Sequence, residues 1–116
     1  MLALDLNLNL NLTPPPPHLG LSRRPLECEL EIATAFLSAQ AGVTRVWLFG
    51  SAAKGRRLDW RSDLDFAVEG LAASALPGAW SELDARLSYP VDLIRWEEAS
   101  EDLRAQIRAW GKVLLI

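Results

Sequence analysis

Leucine occupies every second position from Leu2 to Leu12, and the alternation stops at Thr13 before four consecutive prolines, Pro14 to Pro17. Strict period-two alternation is strand-like. The prolines donate no ladder hydrogen bond and favour an extended polyproline conformation, so a Leu/Asn- and Pro-rich arm over residues 1–24 is expected to stand apart, poorly ordered, from a domain spanning 25–116. It reads as an edge strand for another chain, a disordered arm, or an upstream extension beyond the true start of the gene. Past Pro25, suited to a first helical position, the period changes. Leu26, Leu30, Ala33 and Leu37 recur at helical spacing until Gly42, which predicts a helix over 25–41. The run Arg45-Val46-Trp47-Leu48-Phe49 predicts a buried strand ended by Gly50. A second strand, over 63–68, carries Asp63, Asp65 and Ala67 on one face and Leu64, Phe66 and Val68 on the other. Pro77 opens a helix with Trp80, Leu83 and Leu87 on one stripe, ended by Tyr89-Pro90, and Val91 to Arg95 reads as a third strand. Glu97 and Glu98 fall where a helix N-terminus favours negative charge; Leu103, Ile107 and Trp110 make that helix's buried stripe before Gly111. Val113 to Ile116 closes the chain as a short strand.

At 116 residues the chain fits one small domain, and no second catalytic domain. Half of the residues are hydrophobic and five are Trp, which predicts a packed core. A net charge of -3 leaves no basic stripe for a long nucleic acid, although Lys54, Arg56, Arg57 and Arg61 cluster locally. With Cys28 as the only cysteine, no intrachain disulfide or Cys-rich zinc site can form, and a reducing compartment follows. Nothing approaches the ~18 apolar residues of a membrane span. Asp5 and the repeated asparagines interrupt any secretory signal, so a cytoplasmic location is expected. Trp47, Trp80 and Trp110 read as core. Trp60, in a polar turn, is the exception that could cover a nucleotide or meet a partner; His18, in the arm, has no apparent partner.

The chemistry lies between Phe49 and Asp92. Asp63 and Asp65, two apart on a strand, present their carboxylates side by side and would repel unless a hard divalent cation lay between them. Were the second and third strands neighbours, Asp92 would join the pair, and three carboxylates can hold two Mg²⁺ about 4 Å apart for in-line displacement at phosphorus. The turn Gly50-Ser51-Ala52-Ala53-Lys54-Gly55 supplies the other half. Gly50 permits close backbone approach, and Ser51 can start a helix whose unpaired amides face a triphosphate. A Walker P-loop it is not, since Arg56-Arg57 follow Gly55. Taken singly, Gly-Ser after a strand is usually a helix cap, and Asp-x-Asp on a strand usually an exposed face. Their order along the chain is what is uncommon by chance.

Gly50-Ser51-x-Ala53-x-Gly55, then Ser62-Asp63-x-Asp65-x-x-Val68, then Asp92, resembles the minimal nucleotidyltransferases of the DNA polymerase β superfamily over residues 26–115. The resemblance implies an α/β (α+β) fold, with a short mixed sheet of three or four strands flanked by helices. It implies a Mg²⁺-dependent antitoxin that transfers AMP from ATP to a tyrosine of a HEPN-domain ribonuclease toxin. Asp63, Asp65 and Asp92 would be catalytic metal ligands, holding two Mg²⁺, and Gly50, Ser51, Lys54 and Ser62 would contact the triphosphate. One ion, on all three aspartates, would lower the pKa of the acceptor hydroxyl; the second, on Asp63 and Asp65, would neutralise the departing pyrophosphate. Lys54 stands where the family often has Arg, which keeps charge but loses bidentate geometry. The arm has no counterpart in the family pattern. Two rivals remain: an antitoxin that only binds its toxin, and a polymerase fragment, the latter weakened by the lack of a template-gripping domain.

Overall fold

A computed structural model describes residues 24–55, 58 and 62–115, so the arm at 1–24, apart from Arg24, and Arg56, Arg57, Trp60 and Arg61 lie outside the described residues. The first helix, α1 (Leu26–Ser38), buries Glu29, Leu30, Ala33 and Leu37 along one stripe. It is shorter than its apolar period suggested. Pro25 precedes the helix, its carbonyl accepting from the Cys28 and Glu29 amides, and at the other end Ala39 and Gln40 bond three residues back, to Phe36 and Leu37, tightening the last turn out of α geometry.

Glu29 is the one buried charge among the described residues. Its carboxylate accepts from the Ser88 amide at 2.7 Å and from Arg24 Nε at 2.7 Å, while Arg24 also donates to the Arg86 carbonyl at 2.7 Å. Through these bonds the start of α1 is fastened to the chain leaving the third helix. Replacing Glu29 by Ala strands the Ser88 amide and should cost about 2–3 kcal/mol in urea unfolding. A loss below about 0.5 kcal/mol, the scale of an ordinary surface change, would show that the clamp contributes nothing.

Four strands form one sheet: β1 (Arg45–Phe49), β2 (Leu64–Glu69), β3 (Val91–Arg95) and β4 (Lys112–Leu115), in the order β3-β2-β1-β4. β1 is antiparallel to both β2 and β4; β2 and β3 are parallel. The parallel pair is joined across α3 (Leu76–Arg86), which opens with Pro at its first turn and buries Ala79 and Leu83. Alternation splits the sheet into two faces. Leu64, Phe66, Val68 and Leu93 pack with α1 and α3 in the larger core. Ala67 and Trp47 face the other way, onto Ile107 of α4 (Glu101–Trp110).

The second face is held by stacked aromatics: Trp47 and Trp96 lie 4.2 Å apart at 17°, and Arg104 donates to the Trp96 and Glu97 carbonyls. Ser100 caps α4 by accepting from the Leu103 amide at 3.1 Å, and Glu101 and Asp102 occupy its first turn. Glu97 and Glu98 sit one turn earlier than expected, in a short 3₁₀ segment, because the capping serine comes after them. Two expected core tryptophans are exposed. Trp80 sits at the sheet edge, where its indole N–H donates to the Val91 carbonyl at 2.7 Å, and is 37% exposed. Trp110 is 64% exposed because the stripe of Leu103 and Ile107 runs off the sheet before it reaches the helix end. No described helix is long and apolar enough to cross a membrane.

Candidate active site

Chain order alone placed Asp92 near the Asp-x-Asp pair; the sheet register makes the placement specific. Asp65 and Asp92 are directly paired across parallel β2 and β3, and Phe49 is paired with Asp65 from the other side. Paired residues project from the same face, so Asp65 lies between Phe49 on one flank and Asp92 on the other. Asp63 precedes β2 and is exposed, outside the strand that the sequence predicted to include it. It is still close enough to be felt. The Asp65 carboxyl is pushed up from 3.8 to about 6, first by burial, then by the negative charge of Asp92, then by that of Asp63.

Gly50 carries the chain from β1 into a single helical turn, α2 (Gly50–Ala53), with φ +75°. That φ favours glycine. A second constraint comes from packing: a Cβ added to Gly50 would collide with the Asp65 carboxylate oxygen, so the turn and the acid are nested into each other. The sequence offered no sign of this contact. Phe49, extended at φ −135°, stands at the capping position and no side chain caps the turn, so Ser51 does not cap it as expected. Ser51 is instead an exposed residue inside the turn, beside first-turn amides that have no acceptor within their own helix. Lys54 is exposed at the end of α2, and Ser62 is half-buried just ahead of Asp63. Of the seven candidates the structure sets Gly50 and Asp92 against Asp65 and brings Asp63 within reach of its charge, while Ser51, Lys54 and Ser62 lie on the adjoining turns.

Among the described residues, no group of three or more His, Cys, Asp or Glu is drawn together closely enough to hold a metal ion. The donor chemistry nevertheless suits one. Asp65 and Asp92 share one face with no described cation bonded between them, and the negative charges of Asp92 and Asp63 are both felt at Asp65. Oxygen-only donors carrying excess negative charge match a hard divalent cation.

Beside Asp65, between α2 and α4, is a cavity of about 190 Å³ whose lining includes Phe49, Gly50, Lys54, Gln106 and Trp110. Sequence reasoning missed it, having assigned Trp110 to the core. The available signal was position: a Trp at the last residue of a helix, immediately before Gly111, has little sheet left to cover.

The polymerase beta nucleotidyltransferase family profile matches residues 31–116. The chain is 40% identical over 86 residues to the probable protein adenylyltransferase MntA of Haemophilus influenzae, covering 69% of this chain and 73% of that protein. A crystal structure of a toxin-antitoxin with AMP-PNP contains a chain with 29% identity and a TM-score of 0.63, covering 74% of this chain and 71% of that one. The Shewanella oneidensis complex of a tri-AMPylated HEPN toxin with its MNT antitoxin also matches, at 24% identity and a TM-score of 0.63, over 78% of this chain and 71% of that one. At that identity the likeness speaks for the fold alone. The family's mixed sheet flanked by helices is the architecture described above.

Proposed function

This chain belongs to the polymerase beta nucleotidyltransferase family, and from that membership we propose that it is a Mg²⁺-dependent protein adenylyltransferase, an antitoxin that transfers AMP from ATP to a HEPN ribonuclease toxin and so neutralises it. Support for the activity comes from the MntA relative, and support for the nucleotide and the pairing from the toxin-antitoxin structure with an ATP analogue. The observation that carries the reading at this chain's own residues is the placing of Asp65 opposite Asp92 with Gly50 nested against it. On this reading residues 25–116 form the catalytic domain. A cytoplasmic location suits an ATP-dependent protein with a single cysteine.

Asp63, Asp65 and Asp92 would hold Mg²⁺. When bound, it would supply charge neutralisation at the phosphates and acidify the acceptor hydroxyl. The chain's own groups account for the rest. First-turn amides of α2, the Ser51 hydroxyl and the Lys54 ammonium bind the β and γ phosphates, with Ser62 beside them. So held, the α-phosphorus lies over the carboxylate face, in line with a hydroxyl arriving from the Asp92 side. The hydroxyl oxygen bonds to the α-phosphorus as the bond to the bridging oxygen breaks. Pyrophosphate leaves with that electron pair, and the hydroxyl proton passes to the carboxylate cluster. A tyrosine is the expected acceptor. Little surface remains for choosing one, so docking of the toxin supplies most of the specificity.

Incubating the chain and its toxin with α-labelled ATP should label the toxin and silence its ribonuclease activity in proportion to label. Unlabelled toxin, neutralised at equimolar ratio even by a chain with alanine at positions 63, 65 and 92, would establish the purely binding antitoxin instead.

A further inference from the structure

We propose that the cavity between α2 and α4 seats the nucleobase of the triphosphate, with Trp110 as its stacking surface and Gln106 as the group that reads its edge. The inference rests on the nucleotide-transfer reading and assigns it a base-recognition site. Location is the first argument. Phe49, paired with Asp65, and Gly50, nested against the Asp65 carboxylate, form the wall nearest the carboxylates; Lys54 lines it beside α2, and Gln106 and Trp110 line it from α4. A ligand whose phosphates meet α2 therefore has this cavity within reach on the β1 flank of Asp65. Asp92 lies on the opposite flank, on β3.

Size is the second argument. At about 190 Å³ the space falls below the roughly 300–1,000 Å³ of sites that swallow a whole drug-sized ligand, and suits one flat heterocycle with its sugar and phosphates outside. Chemistry is the third. Trp110 is 64% exposed, whereas Trp47 is buried in a stack with Trp96, so Trp110 is not needed for the core. An indole face set in a pocket accepts any base by stacking. The Gln106 side-chain amide, with both donors and an acceptor, is a group able to tell adenine from guanine by their edges.

The test is calorimetric titration of the full chain with ATP, GTP and inorganic tripolyphosphate in the presence of Mg²⁺. Trp110→Ala should weaken ATP about 10- to 100-fold and leave tripolyphosphate unchanged, while Trp110→Phe should stay near wild type. Gln106→Leu should shrink the ATP-to-GTP preference about tenfold with tripolyphosphate again unchanged. Unchanged ATP affinity in Trp110→Ala would overturn the assignment. So would equal losses for ATP and tripolyphosphate, which would mark a collapsed phosphate site, or a wild type that binds ATP no better than tripolyphosphate. Base-dependent binding without label transfer to the toxin would sink the transferase reading and leave this one standing. Transfer by Trp110→Ala with an unchanged KM for ATP would do the reverse.

Discussion

An Asp65→Asn chain will fold at least as stably as the wild type at neutral pH and transfer AMP at least ~10³-fold more slowly. Both halves follow from the crowding of charge on one face. Burial, Asp92 and Asp63 raise the folded Asp65 carboxyl to about 6, whereas its ordinary value is 3.8. Between those values the native state keeps a proton that the unfolded chain has released, so the cation-free wild type loses stability as pH rises from 3.8 to about 6. Above that window the penalty is constant, and below it absent. Asparagine cannot ionise, so the variant should lack this slope. Urea unfolding in chelator across the window checks the stability half, and label transfer to the toxin checks the catalytic half. Adding Mg²⁺ at neutral pH should stabilise the wild type and not the variant, since binding to the native state alone raises stability. A wild type with no slope across the window would refute the repulsion, and transfer within tenfold of wild type would remove Asp65 from the chemistry.

Gly50→Ala should lose about 1–2 kcal/mol from its left-handed φ of +75°, and at least ~10²-fold in transfer. The activity loss has a separate cause. The new methyl would occupy the space of the Asp65 carboxylate oxygen, and a rotating carboxylate is easier to displace than backbone, so the acid should swing away. Gly55→Ala is the control. Gly55 has nearly the same φ, +77°, yet nothing lies within 4 Å of an added Cβ. It should match Gly50→Ala in unfolding while keeping most of the activity. Equal losses of transfer in the two variants would show that the collision has no catalytic consequence.

The strands were legible because each is an apolar run bounded by Gly, Pro or charge, and β1 and β3 begin and end where the pattern said. Helix ends were less so. The 3₁₀ bonds after Ser38 and the cap at Ser100 are local backbone choices that an apolar stripe does not encode. For the site, alternation correctly put Asp65 on the face opposite Leu64 and Phe66. What alternation could not supply was the partner across the ladder: pairing with Asp92 needs β3 parallel to β2, a fact of tertiary register. The nesting of Gly50 against Asp65 and the cavity under Trp110 were equally hidden, because both depend on how β1 and α4 approach β2. Trp80 and Trp110 were misassigned for one reason: a helical stripe tells which way a side chain points, and not whether the sheet extends far enough to meet it.

Asp92 stands on β3, which is the last strand of the described sheet on its side. No described strand lies beyond Asp92 on that flank. On the proposed function, a docked toxin would serve there as a wall as well as an acceptor. Slow hydrolysis of ATP would then, on that same proposal, be expected of the chain alone, and its suppression on docking would measure how well the two proteins close around the phosphate.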